Sequence, residues 1–413
     1  VMKANKNFGF ARLMEINKPS KDRVTPRCSV ARQCGGCQIQ CLSYEEQLKF
    51  KQNKVYNNLV RIGGQDDFVM KDIIGMEEPF NYRNKAQFPV GIDKEGNIVS
   101  GFYAGRTHSI IGIDSCDLGL KLDGRDINKE VMDIVKKFMT KYQIEPYNEV
   151  THKGLVRHVL IRIGAKTKQI MVCIIINGRK LPNKDELVEK LCKLEGMHSV
   201  SLNVNTNKSN VILGSKIINL YGPGYIEDYI GDVKFRISPL SFFQVNPVQT
   251  EKLYNKALEY ADLSGNEIVW DLYCGIGSIS LFLAKKAKKV LGVEIVPEAI
   301  EDARLNAKIN KIDNSEFFVG AAEDVVTEYF SKHENEAECK PDVIVVDPPR
   351  KGCDEKLLST IVKMNPKRVV YVSCDSATLA RDVKWLSENG YKLKEATPCD
   401  MFGQTIHVET VCL

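Results

Sequence analysis

Arg368-Val369-Val370-Tyr371-Val372-Ser373-Cys374-Asp375-Ser376 begins as a strand and ends as a turn. Residues 368–372 are mostly β-branched or aromatic with no polar alternation, the pattern of a strand covered on both faces as in a parallel sheet. From Ala377 onward the pattern becomes helical. A thiol at the carboxyl end of such a strand, just before a helix, lies where open α/β sheets bind ligands. The helix dipole there favours thiolate. Cysteines are commonly just buried, so Cys374 acquires meaning only from its surroundings.

Those surroundings alternate strand and helix from residue 241 to 413. Strands are expected at 267–272, 289–294, 316–319, 343–347, 368–373, 391–396 and 407–413, with helices at 249–260, 279–286, 297–310, 355–364 and 377–389. This is a doubly wound α/β sheet. Its first strand ends Asp271-Leu272-Tyr273-Cys274-Gly275-Ile276-Gly277, where glycines let backbone approach a nucleotide. Glu294 ends the second strand, where an acid can accept ribose hydroxyls. Ser280 stands where the third glycine of a dinucleotide fingerprint would fall, which favours a mononucleoside cofactor. Asp347-Pro348-Pro349-Arg350 ends the fourth strand and fixes a carboxylate at the same edge. Such a turn can also hold an amine, so methylation of an exocyclic amine, with Cys374 structural, is a second reading.

Upstream, residues 71–240 read as an α+β domain, with strands at 86–90, 98–103, 109–113, 156–163, 169–176, 199–204, 217–221 and 233–237, and helices at 122–142 and 184–194. Tyr82-Arg83-Asn84-Lys85 and Arg157-His158 offer cations and planar groups to RNA phosphates and bases. A helix is expected at 44–62, with Ser43 and Glu46 as a capping box. Leu48, Val55, Leu59 and Ile62 share its apolar face, while Lys49, Lys51, Lys54 and Arg61 stay wet or meet phosphate.

Cys28, Cys34, Cys37 and Cys41 crowd one segment, with Gly35-Gly36 between two of them. The pattern indicates a metal site, and both zinc and an iron–sulfur cluster accept such ligands. Cys34, Cys37 and Cys41 give C-x2-C-x3-C, the reverse of the usual radical S-adenosylmethionine spacing. Spacing leaves the fourth ligand open between Cys41 and the distant Cys116. Thirteen cysteines without a secretion signal point to metal or catalytic use. No apolar run of membrane-spanning length occurs. The net charge is +5, and residues 1–30 are locally basic, which suits a polyanion.

Together, Cys28/Cys34/Cys37, Ser241-Phe242-Phe243-Gln244, Asp271 to Gly277, Asp347 to Arg350, Val372-Ser373-Cys374 and His407-Val408-Glu409 resemble the RNA uracil-C5 methyltransferases, above all the 23S ribosomal RNA branch with an iron–sulfur cluster. The resemblance spans nearly the whole chain. It implies an α/β fold with a Rossmann-like seven-stranded methyltransferase domain (241–413) and a central α+β RNA-recognition domain (71–240). Ahead of these it implies a remnant of an N-terminal OB-like barrel (1–20), a cluster segment (21–43) and a helix packing on the catalytic domain (44–70). It implies Cys374 as nucleophile and Glu409 as base. Gln244, Tyr273, Glu294 and Asp347 would contact S-adenosylmethionine. Cys28, Cys34, Cys37 and Cys116 would hold a [4Fe–4S] cluster, with Cys41 a bystander. The expected partner is RNA, 23S rRNA before transfer RNA, and the expected setting is a cytoplasmic monomer with no membrane contact. Ser373-Cys374-Asp375-Ser376 departs from the Ser-Cys-Asn-Pro of many members. An RNA-binding protein with a redox-sensing cluster and a vestigial cofactor pocket is the non-enzymatic alternative.

Overall fold

The structure is a computed structural model that describes residues 1–6, 8–105, 107–332 and 340–413. At the N-terminus, β1 (Lys3–Ala4) and β2 (Gly9–Phe10) form a two-stranded ribbon. The described residues of 1–20 are all exposed, so the expected barrel remnant encloses no core of its own. Helix α1 (Tyr44–Arg61) and strand β3 (Val69–Met70) follow the cysteine-bearing segment.

The central unit contains β4 (Lys85–Ile92), β5 (Ile98–Tyr103), β6 (Ile110–Gly112), α2 (Ile127–Lys141), β7 (Val156–Ile163), β8 (Ile170–Ile176), α3 (Lys184–Leu191), β9 (Met197–Val204) and β10 (Lys216–Tyr221). Its sheet has the order β10-β9-β8-β7-β4-β5-β6. Helix α2 starts at Ile127 and not at 122, because Asp126 caps it by accepting from Lys129 N at 3.0 Å. One sheet face buries Phe88, Val159, Ile161, Val172, Ile174 and Leu202 in a core shared with α2 and α3.

A hairpin of β11 (Ile226–Ile230) and β12 (Val233–Ile237) comes next. The sequence places it in the central domain, but Val233, Phe235 and Ile237 pack into the catalytic core with Leu253, Leu281 and Ala303. The boundary therefore falls before β11 and not at 240.

The catalytic unit continues with α4 (Pro247–Ala261), β13 (Ile268–Leu272), α5 (Ser278–Ala284), β14 (Lys289–Glu294), α6 (Pro297–Ile309), β15 (Ser315–Val319), α7 (Ala322–Lys332), β16 (Val343–Val346), α8 (Glu355–Met364), β17 (Arg368–Ser373), α9 (Ser376–Glu388), β18 (Glu395–Cys399) and β19 (Glu409–Cys412). The sheet order is β15-β14-β13-β16-β17-β19-β18-β3. The seven expected strands are present, with β18 later in the chain than the pattern indicated, and β3 adds an eighth at the edge. Strands β13 to β17 run parallel, and β19 runs against β17. The chain direction across the sheet reverses between β13 and β16, which opens a crevice at their carboxyl ends.

Helix α1 packs on this unit. Val55 and Leu59 are fully buried in one core with Leu379, Ala380 and Val383, a burial of about 1.5–3 kcal/mol per side chain. Asn58 Nδ2 donates to Ser376 Oγ at 2.8 Å. Ser43 makes no side-chain cap, and Glu46 pairs with Lys49 instead of closing a capping box. Ile62 is 44% exposed. Lys51, expected in water, is fully buried against Asp400, with Nζ to Oδ1 at 2.6 Å. No helix among the described residues is long and apolar enough to cross a membrane.

Candidate active site

Register assembles the site. Leu272 lies beside Val293 on one side and Val346 on the other, and Val346 lies beside Tyr371. The residues just beyond, Tyr273, Glu294 and Asp347, therefore sit at adjacent strand ends, with Cys374 following Ser373 on β17. At about 4.8 Å per strand, Glu294, Tyr273 and Asp347 span roughly 10 Å, and Cys374 lies one strand further over, two residues beyond Val372, which is level with Asp347. On the far side, β19 pairs Thr410 with Ser373, so the next pair in register is Cys374 opposite Glu409. Cross-strand neighbours have Cβ atoms about 4.5–5.5 Å apart. Sequence-distant residues 374 and 409 thus meet through one antiparallel pairing.

The loop after β17 is tightly tied. Asp375 caps α9, its Oδ1 accepting from Ala377 N at 2.9 Å and Thr378 N at 3.2 Å. Ser373 Oγ donates to the Asp375 carbonyl at 3.0 Å. The turn closes with this capping aspartate.

Electrostatics overturn one expectation. Helix-dipole reasoning favours a thiolate, but the half-buried Cys374 thiol is pushed up to about 11, by burial first and then by the Glu409 and Asp347 carboxyls; Arg350 opposes this. Burial and Asp347 push Glu409, 3% exposed, up to about 8. Burial and Asp271 push Asp347 up to about 7. Asp271, itself pushed up to about 7 by burial, is fully buried, and its Oδ1 has no hydrogen-bond partner among the described residues. Acidic groups thus crowd the sheet edge and outweigh one helix end.

The glycine-bearing turn after β13 is built for close approach. Tyr273 has φ +82°, which a non-glycine residue adopts only when its surroundings hold it. Its amide and that of Cys274 both donate to Val293 O at 2.9 Å. Gly275 has φ +55°, and a Cβ there would meet no protein atom within 4 Å. Glu294 is half-buried and accepts from Gly275 N at 3.2 Å and Val296 N at 3.0 Å. Each of its oxygens keeps a lone pair for a hydroxyl. Gln244 is 8% exposed, in the loop before α4, with its carbonyl accepting from Asn84 Nδ2 at 3.2 Å.

Cys28, Cys34, Cys37 and Cys116 line one cavity of about 340 Å³, together with Gln40, Arg83 and Lys85; Cys41 does not. Burial and the neighbouring thiols push Cys37 up to about 12. Gly35 passes close to the Tyr103 carbonyl, where a Cβ would come within 3.0 Å. Among the described residues, no three His, Cys, Asp or Glu side chains converge tightly enough to hold a single metal ion. The four thiols surround a space, not a point.

The cations expected to contact RNA are mostly committed elsewhere. Arg157 is buried, donates to the carbonyls of Asn205, Asn207 and Ser209, and stacks on Tyr147 at 4.3 Å. Burial lowers His158 to about 4. Tyr82 is buried and donates to Gly403 O at 3.0 Å, and Asn84 is also buried. Arg83 and Lys85 are half-buried on the cysteine cavity. Arg350, the last residue of the Asp347-Pro348-Pro349-Arg350 turn, has no signal of its own in the sequence, yet its charge acts on both Cys374 and Glu409.

A family model described as tRNA (Uracil-5-)-methyltransferase matches residues 127–413. The whole chain is 51% identical to a protein from Clostridium tetani named an uncharacterized RNA methyltransferase, covering 87% of that protein. A Bacillus cereus protein of the same description is also 51% identical over the whole chain, which covers 88% of it. The crystal structure of Pyrococcus abyssi tRNA (uracil-54, C5)-methyltransferase in complex with S-adenosyl-L-homocysteine matches with a TM-score of 0.77 at 30% identity, covering 99% of this chain and 90% of that one.

Proposed function

Because the chain belongs to the tRNA (uracil-5-)-methyltransferase family, we propose that it methylates C5 of specific uridines, in 23S rRNA, through a covalent Cys374 adduct. The chain is an S-adenosylmethionine-dependent RNA methyltransferase. The covalent reading rests most on one observation: the register in which Ser373 faces Thr410, which brings Cys374 opposite Glu409 and beside the strand end of Asp347.

Tyr273, Glu294, Asp347 and Gln244 would line the donor site. The open space at Gly275 and the unpartnered Asp271 Oδ1 fit a polar, partly cationic nucleoside there. When bound, S-adenosylmethionine supplies an electrophilic methyl group on a sulfonium centre. Burial first, and then Glu409 and Asp347, raise the Cys374 thiol; a bound cation would offset the part due to the carboxyls and so favour the thiolate, its proton leaving to solvent.

C5 of uracil is a poor nucleophile. The target base leaves its stack to reach the sheet edge. Cys374 thiolate adds to C6, and the C5–C6 π pair moves onto the C4 oxygen. C5 of that enolate takes the methyl group, and the broken carbon–sulfur pair stays with the donor sulfur. Glu409 then removes the C5 proton. The C–H pair restores the C5=C6 bond, and the C6–Sγ pair returns to Cys374.

Cys28, Cys34, Cys37 and Cys116 would hold a [4Fe–4S] cluster. Four thiols around one cavity, with the buried Gln40 beside Cys37, fit an inorganic sulfide core. Such a cluster supplies electron-transfer chemistry and a cross-link between chain segments. Visible absorption of anaerobically purified protein separates it from zinc. The Pyrococcus abyssi likeness favours a second reading, transfer RNA as substrate. Mapping 5-methyluridine in ribosomal and transfer RNA from cells lacking the protein tests both. Unaltered 5-methyluridine in every RNA would refute the proposal.

A further inference from the structure

The turn that carries the chain into Glu409 is gripped by residues from outside its own sheet as well as by its own short bonds. Residues 400–408 connect β18 to β19, and Gln404 within them has φ +69°. A glutamine keeps that conformation only under constraint. Gln47 on α1, 1% exposed, supplies it from both ends of its amide. Its Oε1 accepts from Gln404 N at 3.1 Å, and its Nε2 donates to Gln404 Oε1 at 3.0 Å. The Gln404 carbonyl accepts from Gln38 N at 3.1 Å and Ile39 N at 3.2 Å. Gln38 Oε1 accepts from Ile406 N at 3.3 Å. Gln38 directly follows Cys37, so the segment that lines the cysteine cavity also grips the turn.

We propose that Gln47 and the cysteine-bearing segment, through Gln38, are positioning elements for proton removal, holding the 400–406 turn so that the Glu409 carboxylate meets C5. This rests on the reading of Glu409 as the base and Cys374 as the nucleophile. The two groups are anchored differently. Cys374 follows the end of β17 and precedes the α9 cap, while Glu409, the first residue of β19 and paired with Cys399, enters that strand from the braced turn. Loosening the brace therefore affects one step of two. Adduct formation at C6 needs only the thiol, whereas adduct release needs the carboxylate in reach of C5. A shift of even an ångström at a proton-transfer site is costly in rate.

The test is single-turnover kinetics on a uridine-containing RNA substrate, following the protein–RNA adduct on denaturing gels. Melting temperature and S-adenosylmethionine binding are measured alongside. Gln47→Leu removes both side-chain bonds to Gln404. Adduct formation is expected within twofold of wild type, while release slows about tenfold and adduct accumulates. Gln38→Ala changes an exposed side chain and leaves its backbone bonds, so release slows about threefold in the same direction. A folded Gln47→Leu protein that loses both steps equally, or releases adduct at the wild-type rate, overturns the proposal. If Gln47→Leu does not fold, Gln38→Ala decides by the same ratio of release to formation. A wild-type enzyme that forms no Cys374-dependent adduct fails differently: it sinks the base and nucleophile assignments, and the brace falls with them.

Discussion

Lys51→Met is expected to be the most damaging single change on α1. Lys51 and Asp400 side chains are both fully buried, with Nζ 2.6 Å from Oδ1. Lys51 Nζ also donates to Phe402 O at 3.0 Å, and Asp400 Oδ2 accepts from Tyr44 OH at 2.9 Å. Burial pulls the Lys51 pKa down, while Asp400 pulls it back up. Such a pair has a small net worth against a well-packed apolar pair, yet removing one partner leaves an uncompensated charge that costs about 3–5 kcal/mol. Tyr44 cannot replace that cation. At about 2–4 °C per kcal/mol for a unit of this size, Lys51→Met should lower the melting temperature by roughly 6–20 °C. The double variant Lys51→Met/Asp400→Leu removes both charges; the Phe402 carbonyl still accepts from Thr405 Oγ1 at 2.7 Å, and the Tyr44 hydroxyl proton loses its acceptor, at about 1–3 kcal/mol. It should melt above Lys51→Met. Calorimetric melts of wild type, both single variants and the double variant form a cycle. A Lys51→Met melt within about 2 °C of wild type, or strict additivity of the two single losses, would refute the argument.

Cys374→Ala should abolish both 5-methyluridine formation and covalent RNA trapping, and retained turnover would reassign the nucleophile. Glu409→Gln should form adduct but release it slowly, as seen by a persistent band on a denaturing gel. Gly275→Val should lose S-adenosylmethionine binding by calorimetry, because its side chain fills the open space over the turn; the φ of +55° adds about 1–2 kcal/mol of strain. Asp271, Asp347 and Glu409 rise from 3.8, 3.8 and 4.5 to about 7, 7 and 8. The folded protein therefore holds protons that the unfolded chain releases between about pH 4 and 8, and stability falls as pH climbs through that window, by at most about 1.4 kcal/mol per unit per group. Glu409→Gln should flatten the fall above pH 7 in a melting series.

What could be read along the chain was local. The unbroken apolar run 368–372 indicated a strand covered on both faces, and Val370, Tyr371 and Val372 are all buried. Acids at strand ends were legible because a strand end is a sequence event: Glu294 and Asp347 close their runs, and parallel register aligns them. What escaped depended on partners far along the chain. Lys51 looked wet because lysines usually are, and only Asp400 explains its burial. Arg157 looked available to RNA, but three carbonyls from the 205–209 loop close over it. The Cys374 thiolate expectation counted the helix beside it and not the carboxyl that antiparallel pairing brings opposite.

That crowding of acids has a mechanistic use. The strand ends gather Asp271, Asp347 and Glu409, each with its proton affinity raised by burial and further raised by a neighbouring acid. A protein region assembled this way is costly for stability and favourable for a cationic ligand, since one positive charge about 7 Å from a carboxylate is worth roughly 2 kcal/mol at an effective dielectric of 20. Methyl transfer converts that ligand from a sulfonium to a neutral thioether. On the proposed reading, the attraction favouring ionised Glu409 would then weaken, and its proton affinity would climb back toward the value the protein alone imposes. This happens in the same step that leaves a proton to be removed from C5. On the proposed reading, Glu409 would thus be a weaker base while the methyl donor is charged and a stronger one once methylation is complete, which would order alkylation before proton removal without any movement of the chain.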